Sequence, residues 1–144
     1  MTLRLLPALL VATLWSVVAQ AQFSKTVHNS FEVDSADVLT LDLRGDVVVE
    51  GWAGNTVLVE TSVRLYNATK GVFTHFVEKE GRYDVDGELS GATFRVFNTV
   101  TDRRAIQTKA GLATEEVTVR VMIPRRFRGE GLGPFTREPD GSGR

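Results

Sequence analysis

The sequence predicts an all-β domain, and three observations predict it. From Val38 onward the apolar residues alternate with a period of two, as half-buried strands require. Turn signals recur between these runs, at Gly45-Asp46, Gly54-Asn55, Glu80-Gly81, Ser90-Gly91 and Ala110-Gly111. No window of a dozen residues carries a 3.6-residue apolar stripe. Strands at spacings of about 8–12 residues then indicate an antiparallel meander or a sandwich-like domain.

In chain order, the first 21 residues read as a cleaved signal peptide. A single positive charge at Arg4 precedes an uncharged apolar run from Leu5 to Ala19, and Ala19-Gln20-Ala21 gives the small-x-small pattern of a cleavage site. Fifteen residues are short for a bilayer span, which needs about 20. Cleavage would make Gln22 the first residue of a 123-residue chain with 16 basic and 18 acidic residues. A net charge of −2 gives no basic footprint for nucleic acid. There is no cysteine, so neither a disulfide nor a lipid-anchored cysteine is available, and the core alone must hold the fold. The expected protein is secreted, periplasmic or at the cell surface, with no membrane-spanning segment after cleavage.

The all-β domain is expected over residues 22–127. Its candidate strands are Phe31–Val33, Val38–Leu43, Val47–Trp52, Thr56–Leu65, Phe73–Glu78, Tyr83–Glu88, Thr93–Asn98, Ile106–Lys109 and Glu116–Ile123. With Gly45-Asp46 and Gly54-Asn55 as two-residue hairpin loops, one face collects Leu39, Leu41, Leu43, Val48, Trp52, Val57, Val59, Val63 and Leu65. Glu50 is the misfit, landing among leucine and valine. Either it sits at an edge with its carboxylate in water, or the pairing is not a simple meander. Arg44-Gly45-Asp46 matches an integrin-binding tripeptide, but three residues are a weak motif and a corner needs the glycine in any case.

Two stretches carry a resemblance. "LRGDVVVEGWAGNTVLVETSVRL", within Val38 to Leu65, resembles the opening of the adhesin family of bacterial envelope proteins, a domain of unknown function whose name is itself a conjecture. "EEVTVRVMIPRRF", Glu115 to Phe127, is similar to that family's step from a valine-rich strand to a proline that precedes glycine-punctuated β-rungs. The resemblance implies an envelope association and a short β-solenoid-like alternative to the meander, and it supplies no catalytic residues. The chain departs from the family where the rungs should begin, running instead "RGEGLGPFTREPDGSGR".

That last segment is expected to be a disordered tail over residues 128–144. Arg125 to Arg144 holds five glycines, two prolines and five arginines with few apolar residues, too little to offset its ordering entropy. The clustered Arg125, Arg126 and Arg128 would suit a flexible segment touching anionic lipid or polysaccharide.

Candidate chemistry is sparse. His28 lies in a polar entry segment, and His75 shares a strand face with Phe73. Neither a Gly-x-Ser-x-Gly elbow nor a His-Glu-x-x-His motif is present. Asp84, Asp86 and Glu88 are spaced by two and fall on one side of a strand, opposite Tyr83, Val85 and Leu89. Such a row could hold Ca²⁺ or supply a glycosidase acid pair, yet it also matches the solvated face of an antiparallel strand, and Gly87 breaks the calcium-loop pattern. Asn67-Ala68-Thr69 and Asp34-Ser35-Ala36 match glycosylation sites, each on three residues only. The expected function is a non-catalytic binding or structural role at the cell envelope, towards a protein or glycan, with no catalytic, cofactor-binding or metal residue assigned. The alternative is a small secreted hydrolase or metal-dependent enzyme using Asp84, Asp86, Glu88 and His75.

Overall fold

The computed structural model describes residues 22–141, so the signal peptide expected over 1–21 lies outside the described residues. The chain is all-β, as the alternation requires. Its strands are β1 (Phe23–Glu32), β2 (Val38–Asp42), β3 (Asp46–Trp52), β4 (Thr56–Tyr66), β5 (Val85–Ser90), β6 (Thr93–Asn98), β7 (Gln107–Thr108), β8 (Gly111–Leu112), β9 (Thr114–Pro124), β10 (Phe127–Arg128) and β11 (Phe135–Arg137). They form one sheet in the order β1-β4-β9-β3, a second in the order β10-β11-β2-β6-β5, and a small β7-β8 ladder. The two larger sheets pack face to face as a sandwich. Leu39, Leu41 and Val96 of one meet Val57, Val59, Val119 and Val121 of the other.

The expected meander is corrected. β2 pairs with β6 in parallel and β3 pairs with β9 in parallel, so Gly45-Asp46 joins the two sheets instead of closing a hairpin. Gly45 is required at that corner. Its φ is +113°, and a Cβ there would lie 2.8 Å from the Val117 carbonyl oxygen. Gly54-Asn55 is not a two-residue hairpin either, because β9 lies between β3 and β4.

Changing the partner also changes the face. In β3 it is Val47 and Val49 that pack against the core, whereas Val48 is 52% exposed. Trp52, four residues from Val48 and on the same side of β3, is likewise outside the core, half-buried with its indole N–H donating to the Thr56 carbonyl at 2.8 Å, whereas Leu39, Leu41, Leu43, Val57, Val59, Val63 and Leu65 of the expected face are all buried. Glu50 answers both halves of its question. It lies on an edge strand and not in a meander, and Arg120 of neighbouring β9 donates to it at 2.7 Å.

Two further expectations are corrected. Residues 73–78 are helical: one α-turn over Lys70–Phe73 widens into π geometry over Thr74–Lys79. The Thr69 hydroxyl accepts from the Val72 N–H and caps its start. Phe73 and Val77, four apart, point inward with Val63, Leu65, Tyr83 and Ile106 to form a second core under the far half of β4. The described part of the tail, residues 128–141, is built into the second sheet as well. β11 pairs antiparallel with β2 and with β10, and Phe127 and Phe135 are buried. Arg137 donates from Nε to the Ala36 carbonyl at 2.8 Å and from Nη2 to the Val33 carbonyl at 2.9 Å, tying the tail to the turn after β1. Among the described residues no helix is long and apolar enough to cross a membrane.

Candidate functional site

The two sheets end unevenly, and the unevenness makes a cleft. Beyond β2 the second sheet continues for two more strands, β11 and β10, whereas the first sheet stops at β3. Phe127 and Phe135, on the inner side of the β10–β11 hairpin, are buried in the main core, and the hairpin projects past β3 beside them. The resulting cleft has a volume of about 670 Å³ and is lined by Val47, Val49, Ile123, Phe127, Leu132 and Phe135, with Glu50, Arg125 and Arg128 also on its walls.

Each wall follows from local chemistry. β3 turns its Val47 and Val49 inward because Gly45 permits the sheet-to-sheet corner. Pro124 ends β9, and the Arg125 N–H then donates to the Trp52 carbonyl at 3.1 Å, which fixes Arg125 beside the end of β3. Gly129 lets the hairpin close tightly, since a Cβ there would fall 2.5 Å from the Pro134 carbonyl oxygen. The Leu132 carbonyl accepts from the Leu41 N–H at 3.2 Å, holding the loop between β10 and β11 against β2, while the Leu132 side chain remains 42% exposed.

The charges around this cleft differ in how they are engaged. Arg128 pairs with Glu138 at 2.8 Å, Arg126 with Asp34 at 2.8 Å, and Arg120 with Glu50. Arg125 makes no ion pair and no side-chain hydrogen bond among the described residues, and it is exposed. The arginines expected to form a loose basic tether thus mostly hold the C-terminal strands in place. One guanidinium is left free at the mouth of the cleft.

The strongest electrostatic coupling lies elsewhere, at the edge of the second core. Arg82 is 5% exposed, donates to Glu115 from Nε at 2.7 Å and from Nη2 at 3.0 Å, and donates to the Arg104 carbonyl at 2.5 Å. The Tyr83 hydroxyl donates to the same carboxylate, and Arg103 stacks over the Tyr83 ring at 5.0 Å. Burial alone would push the Glu115 carboxyl up, but the hydrogen bonds from Arg82 and Tyr83 and the Arg82 charge outweigh it and hold it below its ordinary value. Burial, reinforced by the adjacent carboxylate, drives the Tyr83 phenol well above its ordinary value. Burial also lowers Arg103, whose Nε and Nη2 are buried with no hydrogen-bond partner among the described residues. This cluster is bonded inward and lines none of the three main clefts.

The residues of the acidic row separate. Asp84 and Asp86 line a shallow groove with Val27, Asn29 and Thr99 at the opposite side of the sandwich. The Asp86 carboxylate accepts from the Gly87 N–H at 2.8 Å. Glu88 is outside that groove and faces Arg95 at 3.4 Å, and His75 sits on the helix, bonded to Glu80 at 2.9 Å. His28 bonds Glu60 at 3.0 Å on the exposed side of β1. Among the described residues, no three His, Cys, Asp or Glu side chains come together as a metal site. Asn67 donates to the Leu112 carbonyl at 3.0 Å and Thr69 caps the helix, so both ends of that glycosylation triplet have local roles.

The cleft was out of reach of the periodicity. Three of its apolar residues, Phe127, Leu132 and Phe135, lie at or beyond the end of the segment whose apolar pattern could be read. Two phenylalanines flanking a Gly-rich turn around Gly133-Pro134 are the signal that a short hairpin was present. Models of known protein families, characterised proteins and solved structures all give no match to this chain.

Proposed function

We propose that the protein is a non-catalytic binding domain of the bacterial cell envelope and that the cleft between β3 and the β10–β11 hairpin is its binding site. What supports it is the lining: a volume of about 670 Å³ walled by part-buried Val47 and Val49 and exposed Leu132 over buried Ile123, Phe127 and Phe135, with one arginine unpaired among the described residues at the mouth, suits recognition of an apolar ligand with an acidic group. The run from Leu5 to Ala19 ending in Ala19-Gln20-Ala21 favours export, and the resemblance of the Val38–Phe127 region favours the envelope.

Co-sedimentation of the chain from Gln22 to Arg144 with envelopes of its producing cells tests this. Saturable binding that survives high salt is expected, and Leu132→Asp, which puts a charge into the cleft at a half-exposed position, should abolish it. Binding that disappears with salt alone, or that Leu132→Asp leaves unchanged, rules the cleft out.

A further inference from the structure

Resting on the reading of the cleft as a binding site, we infer that its occupant is an extended polypeptide segment from another protein, apolar at alternate positions and carrying a carboxylate, which adds to the free edge of β3 as a fifth strand of the first sheet.

The shape of the vacancy is that of a strand. β3 is hydrogen-bonded to β9 along one edge and, among the described residues, has no partner strand along the other. The second sheet runs two strands further, so a segment paired to the free edge would lie under β11. Its inward side chains, every second residue, would run beside Val47 and Val49 and meet the exposed Leu132, over the already buried Phe127 and Phe135. Main-chain hydrogen bonds to β3 would supply affinity, and the apolar pocket would select the alternate side chains.

The edge also lacks the usual defences. Natural edge strands are protected by lysine, proline, bulges or a covering loop. β3 reads Asp-Val-Val-Val-Glu-Gly-Trp, with neither lysine nor proline. Its central charge, Glu50, is already neutralised by Arg120 on the neighbouring strand. Val48 stands 52% exposed on the outer face, so an added strand would find an apolar neighbour on that side as well.

The charge at the cleft mouth sets the chemistry of the partner. Arg125 is the free cation there, beside the Trp52 end of β3, so a carboxylate near one end of the incoming segment pairs with it. A second copy of this chain fits poorly. Pairing β3 to β3 would bring the partner's own second sheet into the space that β10 and β11 already cover. A single segment meets no such conflict.

The test uses seven-residue peptides, the length of β3, acetylated and amidated, alternating valine and threonine with a glutamate at one end. Each is titrated against the chain from Gln22 to Arg144 while amide exchange is followed residue by residue. The expected result is saturable binding with slowed exchange of amides in Asp46–Trp52. Binding should weaken about tenfold in Arg125→Glu, as for loss of a part-exposed charge-assisted hydrogen bond, and should disappear when alternate peptide amides are N-methylated. The end at which glutamate binds tighter reports the direction of the added strand. Equal binding of the N-methylated peptide would overturn strand addition. Concentration-dependent dimerisation of the chain, with protection of the same amides and no peptide present, would overturn it in favour of a second copy. Failure of every peptide while the chain still sediments with envelopes, sensitive to Leu132→Asp, would overturn the strand but leave the binding cleft standing.

Discussion

The inner face of the first sheet is covered by two different materials, and β4 runs beneath both. Its first half, with Val57 and Val59, faces the second sheet across a core of aliphatic and aromatic side chains. Its second half, with Val63 and Leu65, faces the short helix and the loops around it, and there the apolar cluster borders the Arg82–Glu115–Tyr83 network. Thr61, 2% exposed, marks the changeover. Sheet against sheet buries alternating residues that are mostly apolar, and Asn98 on β6 has its side-chain oxygen satisfied by the Arg44 N–H at 2.8 Å. A helical segment of ten residues cannot cover the sheet by itself, so the connecting loops must help, and they bring their backbone carbonyls with them. Arg82 satisfies one of these carbonyls, that of Arg104, while pairing with Glu115.

The contrast can be broken most severely in the sandwich half. Leu39 is fully buried, and Leu39→Ala should cost about 4 kcal/mol in urea unfolding, through lost transfer free energy and the cavity left behind. In the other half, Arg82→Ala should cost about 3 kcal/mol because it strands a part-buried carboxylate, whereas pairing Arg82→Met with Glu115→Leu should recover much of that loss.

The same network gives that half a pH dependence of its own. The Glu115 carboxyl is held below its ordinary 4.5, so its contribution is present above that pH and is lost as pH falls through the lower folded value. The Tyr83 phenol is raised above its ordinary 10.0, so its contribution is full below pH 10 and declines as pH rises beyond it. Stability profiles of Glu115→Gln should be flatter on the acid side, and those of Tyr83→Phe flatter on the alkaline side. Leu39→Ala should shift the whole curve without changing its shape.

Smaller effects sharpen the comparison within the sandwich. Gly45→Ala should cost about 2 kcal/mol, combining a positive φ with the approach of the Val117 carbonyl. Val49→Thr should cost about 1 kcal/mol by placing a hydroxyl against the core, and Val48→Thr should stay within about 0.5 kcal/mol. Reversal of that last pair would restore the meander register, in which Val48 faces inward.

These differences also explain what could be read from the residues. Period-two alternation located most of the strands and the core-facing residues of β2 and β4, because burial on one face leaves its mark on every second residue. Alternation says nothing about partners. β2 and β3 alternate as well for parallel pairing with β6 and β9 as for a hairpin, and only the misplaced Glu50 signalled the error. The helix was missed because ten residues are too few for a sustained stripe, although Thr69 as a cap and the Val72, Phe73, Phe76, Val77 spacing were present. The tail was misjudged because its order comes from non-local contacts. Arg137 reaches carbonyls about a hundred residues away in sequence, and composition cannot register that. The candidate site is built from the parts least legible locally, the unpartnered edge of β3 and the C-terminal hairpin.

The position of β9 has a consequence for how the molecule is assembled. This strand, residues Thr114–Pro124, lies between β4 and β3 and hydrogen-bonds to both, yet both precede it in the chain by some fifty residues or more. Until it arrives, β1 and β4 can pair as a two-stranded ribbon, but β3 has no neighbour in its own sheet. Contacts so distant in sequence must be closed against a large loop entropy, which makes folding slow relative to a helical bundle of the same size. A nascent chain therefore gains its sandwich late and almost all at once, when its last quarter inserts into the middle of what was made first.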